Sequence, residues 1–208
     1  MRALYHRDVR YLLSFLFIMI VAGCSSTPTQ YYVLNTVASV QQNSSSDASD
    51  TATKHQLAIR QLEIPRYLDR PRIVSRDAEN HLRIAEYHQW GGRLRDDVAR
   101  TLSDDLAEYL DSMSVITAPF PGSMHADISL LIDIRQFERL ADGRVHLKVR
   151  WHIQQTGKQS QSYFHHIISE TNVSEHDYAA MAGAMSQLLA TLSEKMAIEI
   201  KRLAELDR

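Results

Sequence analysis

From Leu57 onward, apolar residues recur with two periods, and the switches between them divide the chain into strands and helices. Ile128, Leu130, Ile132 and Ile134 alternate with Ser129, Asp133 and Arg135. After Asp142-Gly143, a dipeptide suited to a tight hairpin turn, Val145, Leu147, Val149, Trp151 and Ile153 alternate with His146, Lys148, Arg150, His152 and Gln154. Such alternation puts one face of each strand on a core and the other in water. Thr156-Gly157-Lys158 turns again into a third strand over Ser162–Thr171, completing a meander. Earlier, Leu57 and Ile59 share a strand face, but Leu62 and Ile64 switch parity before Pro65. Pro71–Ser75 and His81–Glu86 flank Asp77-Ala78-Glu79-Asn80 as a second hairpin, and Val115–Ala118 is a short strand stopped by Pro119 and Pro121.

Two segments carry the longer helical period. Leu94, Val98, Leu102, Leu106, Tyr109 and Leu110 form one stripe between Gly92 and Asp111, with charges on the remaining surface. Tyr178, Met181, Ala182, Met185, Leu188, Leu189, Leu192 and Met196 form another, running on towards Ile200 and Leu203. Ser174 and Asp177 precede it as an approximate capping box. The predicted fold is α+β: an antiparallel-rich, mixed sheet with two amphipathic helices packed on one face. Residues 56–208 form its single globular domain. Tyr31-Tyr32-Val33-Leu34 is an isolated β-favouring cluster, an edge or docked strand, between a Ser-Ser-Thr-Pro-Thr tether and a Ser/Asp-rich loop over Thr36–Lys54. That loop holds too few large apolar residues to offset its ordering entropy.

The first 23 residues follow another logic. Arg2, Arg7 and Arg10 precede a nearly unbroken apolar run, Tyr11–Val21, and small residues lead into Cys24. This order marks residues 1–23 as a secretory signal peptide. As a helix the apolar run would reach about 16 Å, roughly half a bilayer core. Val21-Ala22-Gly23-Cys24 resembles the lipobox of bacterial lipoproteins. The resemblance implies cleavage before Cys24 and diacylglyceryl and N-acyl groups, palmitate among their chains, on that residue. Cys24 is the chain's only cysteine, so no intrachain disulfide is available. Ser25 and Ser26 follow it in place of an aspartate, which by resemblance directs the protein to the outer membrane, with its domain facing the periplasm.

Charge narrows the partners. The whole chain carries a formal net charge of −2, and removing three arginines with Asp8 leaves the mature chain more acidic still. There is no electrostatic case for nucleic acid or for anionic lipid surfaces. Signatures of hydrolases, nucleotide-binding loops and zinc proteases are absent from the sequence. Gly122-Ser123-Met124-His125 brings a serine near a histidine on a Pro-rich loop without a positioned acid. His146 and His152 share the polar face of one strand, but six residues along a strand separate them by roughly 20 Å, too far for one zinc ion. With His165 and His166 on the next strand, they read as solvated sheet-face histidines. The Met-containing stripe of the second helix fits an ordinary core or an acyl-chain groove.

Two segments read as an interface. Pro65-Arg66-Tyr67-Leu68-Asp69-Arg70-Pro71 is stiffened by prolines at both ends, and Glu86-Tyr87-His88-Gln89-Trp90 closes the hairpin that it opens. Tyr67, Leu68, Asp69, Arg70, Pro71, Glu86 and Trp90 are the candidate contact residues, because rigid loops bearing aromatics and arginine favour binding. Tyr67 and Trp90 equally suit a role capping the core.

The lipobox, Tyr31-Tyr32-Val33-Leu34, the Ile64–Val74 run, Glu86-x-x-x-Trp90 ahead of a helix, Trp151 and the closing Leu188–Ser193 segment together resemble the ABC-type transport auxiliary lipoproteins of the PqiC group. The resemblance spans nearly all of the mature chain. It implies a non-enzymatic outer-membrane lipoprotein, without cofactor or metal, that docks an MCE-type trans-envelope lipid transport system and supports envelope integrity. The implied partners are an MCE-domain periplasmic protein, an inner-membrane component and further copies of the chain. A lipid-binding lipoprotein with an acyl-chain groove is the competing expectation.

Overall fold

The computed structural model describes residues 27–37, 55–111, 113–155 and 157–205. The expected signal peptide, Cys24 and most of the Ser/Asp-rich segment lie outside them. Eight strands and two long helices follow in the order β1 (Gln30–Tyr32), β2 (His55–Glu63), β3 (Arg72–Ala78), β4 (His81–Trp90), α1 (Leu94–Tyr109), β5 (Met113–Thr117), β6 (Ile128–Arg139), β7 (Val145–Gln155), β8 (Gln161–Ile168) and α2 (Tyr178–Glu205). This is the α+β fold that the periodicity predicts. The strands divide between two sheets rather than one, with orders β1-β4-β3 and β5-β2-β6-β7-β8.

The large sheet is the β6–β7–β8 meander extended by parallel strands β2 and β5. Its inner face carries Leu57, Ile59, Leu130, Ile132, Ile134, Leu147, Val149 and Trp151, all buried, and the buried stripes of both helices close over them. The parity switch in β2 is a bulge: Ile59 pairs with Leu130 and Gln61 with Leu131, so Arg60 is the extra residue. Asp142-Gly143 makes the predicted turn, with Gly143 at φ +83°, a backbone region where a side chain is strained. At the start of α2, Asp177 rather than Ser174 is the capping residue, its carboxylate accepting from the Ala180 N–H at 2.9 Å.

The small sheet is less regular. β3 and β4 form the hairpin around Glu79-Asn80, with register shifts between Arg72 and Val74 and again between Arg76 and Ala78. β1 pairs with β4 in parallel, Gln30 with His88 and Tyr32 with Trp90, across a wide sequence separation. Leu34 follows and is fully buried. Its backbone is held by α1: the Leu34 N–H donates to Asp97 at 3.3 Å, and Arg100 donates to the Leu34 carbonyl at 2.7 Å. The next N–H, of Asn35, donates to Ser186 of α2. The folded body therefore begins before residue 56, with β1 inside it. Asp97 and Arg100 hold backbone as well as contributing to a solvated helix face.

Candidate functional site

The Pro65–Pro71 loop leaves β2, turns, and enters β3. Two bonds onto the Pro65 carbonyl make the turn, from the Leu68 N–H at 2.9 Å and the Asp69 N–H at 3.2 Å. Proline cannot donate at either end of the loop, yet its carbonyls accept. Pro71 takes the Trp90 N–H at 2.7 Å, which ties the loop to the end of β4. The neighbouring Gly91 N–H reaches the Tyr32 carbonyl at 2.7 Å, so β1, β4 and the loop meet at one corner.

The seven sequence candidates occupy different depths in this corner. Leu68 and Trp90 are buried in the core. Tyr67 is half-buried, and its hydroxyl donates to both carboxylate oxygens of Glu138, at 3.1 and 3.0 Å. Asp69 lies partly covered and pairs with Arg93 at 3.2 Å. Arg70, Pro71 and Glu86 are exposed. Asp69, Arg70, Pro71, Gly92 and Arg93 line a shallow concavity of about 150 Å³.

Glu138 is the residue that sequence reasoning missed. It lies on β6 beyond a register shift between Ile134 and Gln136, where the alternation used to assign the strand breaks down. Its side chain is wholly buried yet ionisable, and four groups surround it: Tyr67, the Arg76 guanidinium at 3.2 Å, the Phe137 N–H at 2.9 Å and the Gln136 amide at 3.3 Å. Arg76 also stands 5.7 Å over the Tyr67 ring. Burial, then the Glu138 charge and hydrogen bond, push the Tyr67 hydroxyl up to about 12, against the opposing effect of Arg76. This network fastens the small sheet and its loop to β6.

The remaining chemical candidates have structural employment. His146 is buried rather than solvated, because its ring nitrogens meet His166 at 3.1 Å and Asp142 at 2.9 Å. Those partners sit on opposite sides of the ring, so they do not converge on a shared ion. His152 is bound to Ser162 at 2.7 Å. His165 points inward under α2 and packs on Trp151, where burial lowers its pKa. Among the described residues no group of three or more His, Cys, Asp or Glu side chains could hold a metal ion. Ser123 is buried in a one-turn helix while His125 is exposed. Met181, Met185 and Met196 are closed into the core, so the stripe lines no acyl groove. A concavity of about 530 Å³ does flank α2, but on its other side, among Ser169, Thr171, Asn172, Gln187 and Thr191 as well as apolar residues. Among the described residues no helix is long and apolar enough to cross a membrane.

Among the described residues the corner is thus a proline-bounded loop held from behind by the buried Glu138 network. The model of the family described as ABC-type transport auxiliary lipoprotein component matches residues 32–197, and the chain belongs to that family. A crystal structure of an uncharacterized protein superposes with a TM-score of 0.67 at 22% identity, covering 84% of this chain and 99% of that one. Protein XCC0632 from Xanthomonas campestris, of family DUF330, superposes with a TM-score of 0.56 at 17% identity, covering 88% and 98%. These likenesses establish the shared fold. A sequence comparison with curated proteins finds no match.

Proposed function

We propose that this chain is a non-enzymatic subunit of an MCE-type trans-envelope lipid transport system, held to the outer membrane by acyl groups on Cys24 and docking its partners through the Pro65–Pro71 corner. The family match over residues 32–197 carries the reading, since it makes the chain an auxiliary component of a transport system. In this reading residues 1–23 are removed as a signal peptide and residues 24–29 are the tether. Tyr67, Leu68 and Trp90 preorganise the corner from inside, while Arg70, Pro71 and Glu86 form its outward contact surface, with Asp69 held beside them by Arg93. A loop fixed in advance loses little entropy on docking. Neighbouring copies confined to one membrane gain effective concentration, which favours assembly as a homo-oligomer.

Mild-detergent purification of the native lipoprotein followed by mass spectrometry tests this directly. An MCE-domain protein should be recovered with the wild type and lost with the charge reversals Arg70→Glu and Glu86→Arg, while both variants melt like wild type. Recovery without any MCE-domain protein would remove the docking role. Intact mass should show a chain beginning at an acylated Cys24, and Ser25→Asp should shift sorting towards the inner membrane.

A further inference from the structure

Two independent observations meet on the small sheet. The first is covalent reach. Cys24 and Gln30, where β1 begins, are six positions apart in the chain. Even fully extended, that stretch spans only about 20 Å. Whatever conformation it takes, an acyl anchor on Cys24 keeps β1 beside the bilayer surface.

The second observation is what β1 and its neighbour present outward. Tyr32 and His88 face the interior, hydrogen-bonded at 2.8 Å, with His88 stacked on Tyr178 of α2. Side chains alternate across a strand, so Tyr31 and Tyr87 point the other way. Tyr31 is 67% exposed, Val33 49% and Tyr87 39%. Val33 lies over Gly91, where an added Cβ would meet its Cγ1 at 3.0 Å. Across the sheet, Tyr31 pairs with Gln89 and Gln89 with Arg72, which is exposed. The outward face thus combines two tyrosines, a valine and a guanidinium. Glu86, exposed, stands at its border.

We infer that this face, built from Tyr31, Val33, Tyr87 and Arg72, rests on the lipid headgroup region and orients the domain on its membrane. The inference rests on the reading of Cys24 as the acylated residue. Tyrosine suits the headgroup level because its ring is apolar and its hydroxyl stays wet. Arginine there can donate two parallel hydrogen bonds to a lipid phosphate. A face of this size would hold weakly from free solution. Tethered within about 20 Å it needs no more, because the anchor supplies the local concentration.

The test uses the full mature lipoprotein in vesicles of phosphatidylethanolamine and phosphatidylglycerol. Cys24 is the only cysteine and, in this reading, its sulfur is blocked as a diacylglyceryl thioether, so Tyr31→Cys, Val33→Cys and Tyr87→Cys each provide one thiol for a nitroxide label. Labels at all three positions should collide several-fold more with oxygen than with a polar nickel chelate. Met124→Cys and Phe164→Cys, exposed positions outside the small sheet, should show the reverse. Chelate-accessible labels at 31, 33 and 87 would overturn the contact. Protection from both reagents with spin–spin broadening would assign the face to a second copy and overturn it as well. Intact mass and vesicle flotation separate the two levels of failure. An unacylated chain that does not float refutes the anchor, whereas an acylated, floating chain with water-exposed labels refutes only the resting face.

Discussion

The two sheets solve the same problem, burying strands in a chain of this size, by different means. The large sheet relies on area: alternating apolar residues on β2, β6 and β7 lie under two helices. The small sheet, with its loop, also buries Leu34, Leu68, Ile73, Val74 and Trp90, but with only three strands it adds a few polar attachments. Glu138 fastens it to β6 through Tyr67 and Arg76, while Asp97, Arg100 and Ser186 fasten the segment after β1 to the helices. Apolar burial is nondirectional and tolerates small shifts. Polar attachment fixes one geometry and fails sharply when a partner is removed. The surfaces proposed for binding lie on the small sheet and its loop, where position is held by a handful of groups.

This contrast predicts graded effects. Trp151→Ala, in the middle of the large sheet, should cost about 3–5 kcal/mol in denaturant unfolding, because a fully buried aromatic leaves a cavity that rigid strands cannot fill. A loss below about 1 kcal/mol would show that the large sheet does not carry the core. Arg76→Ala should cost about 3 kcal/mol, since it removes the one cation paired with the buried Glu138 carboxylate among the described residues. Hydrogen exchange should then accelerate in β3, β4 and the loop before β6 and β7 respond. Uniform acceleration would mean that the sheets unfold as one unit.

Tyr67→Phe should cost about 1–2 kcal/mol at neutral pH, because Glu138 loses a donor. It should also change the alkaline limb. The Tyr67 hydroxyl is raised from 10.0 to about 12 in the folded chain, so its contribution is fully present below pH 10 and is lost as pH rises towards 12. Wild type should therefore lose stability across that window more steeply than Tyr67→Phe, and parallel profiles would exclude Tyr67 as the source. The smallest effect is expected at the acid end. Asp142 is held down to about 2: burial pushes it up, but the Arg144 N–H and His146 outweigh that. Its contribution is present above the ordinary value of 3.8 and disappears as pH falls towards 2. Asp142→Asn should flatten that shallow limb in a pH titration of melting temperature.

The same contrast explains what could be read in advance. β6, β7 and the stripe of α2 announce themselves because their apolar residues are spaced by the element's own period, and even the Arg60 bulge is visible as the parity switch at Leu62 and Ile64. The pairing of β1 with β4 leaves no such trace. It joins residues far apart in the chain, and its strand has only three residues. The sequence therefore reads Leu34 as the end of an edge or docked strand, without showing that it is core. Burial of Glu138 and His146 was hidden for another reason: a polar residue on the outer face of a strand is solvated unless something covers it. Here the cover comes from Tyr67 and Arg76 in one case and from Asp142 and His166 in the other. Of the candidate corner, the segment was visible in its prolines and aromatics. The division between its inner and outer residues was not, because it depends on Glu138.

The parallel alignment of β1 with β4 has a mechanical consequence. In the proposed anchoring, tension from Cys24 would enter the paired strands at Gln30, the first paired residue, and load them most directly along the strand axis. Pulled in that direction, the bonds from Gln30 to Tyr32 are loaded together in shear rather than peeled one after another. Behind them in series stand the Asp97 and Arg100 clamps on Leu34, rooted in α1. In the proposed assembly, a load between the membrane and a docked partner would be spread over a short strand and then a helix.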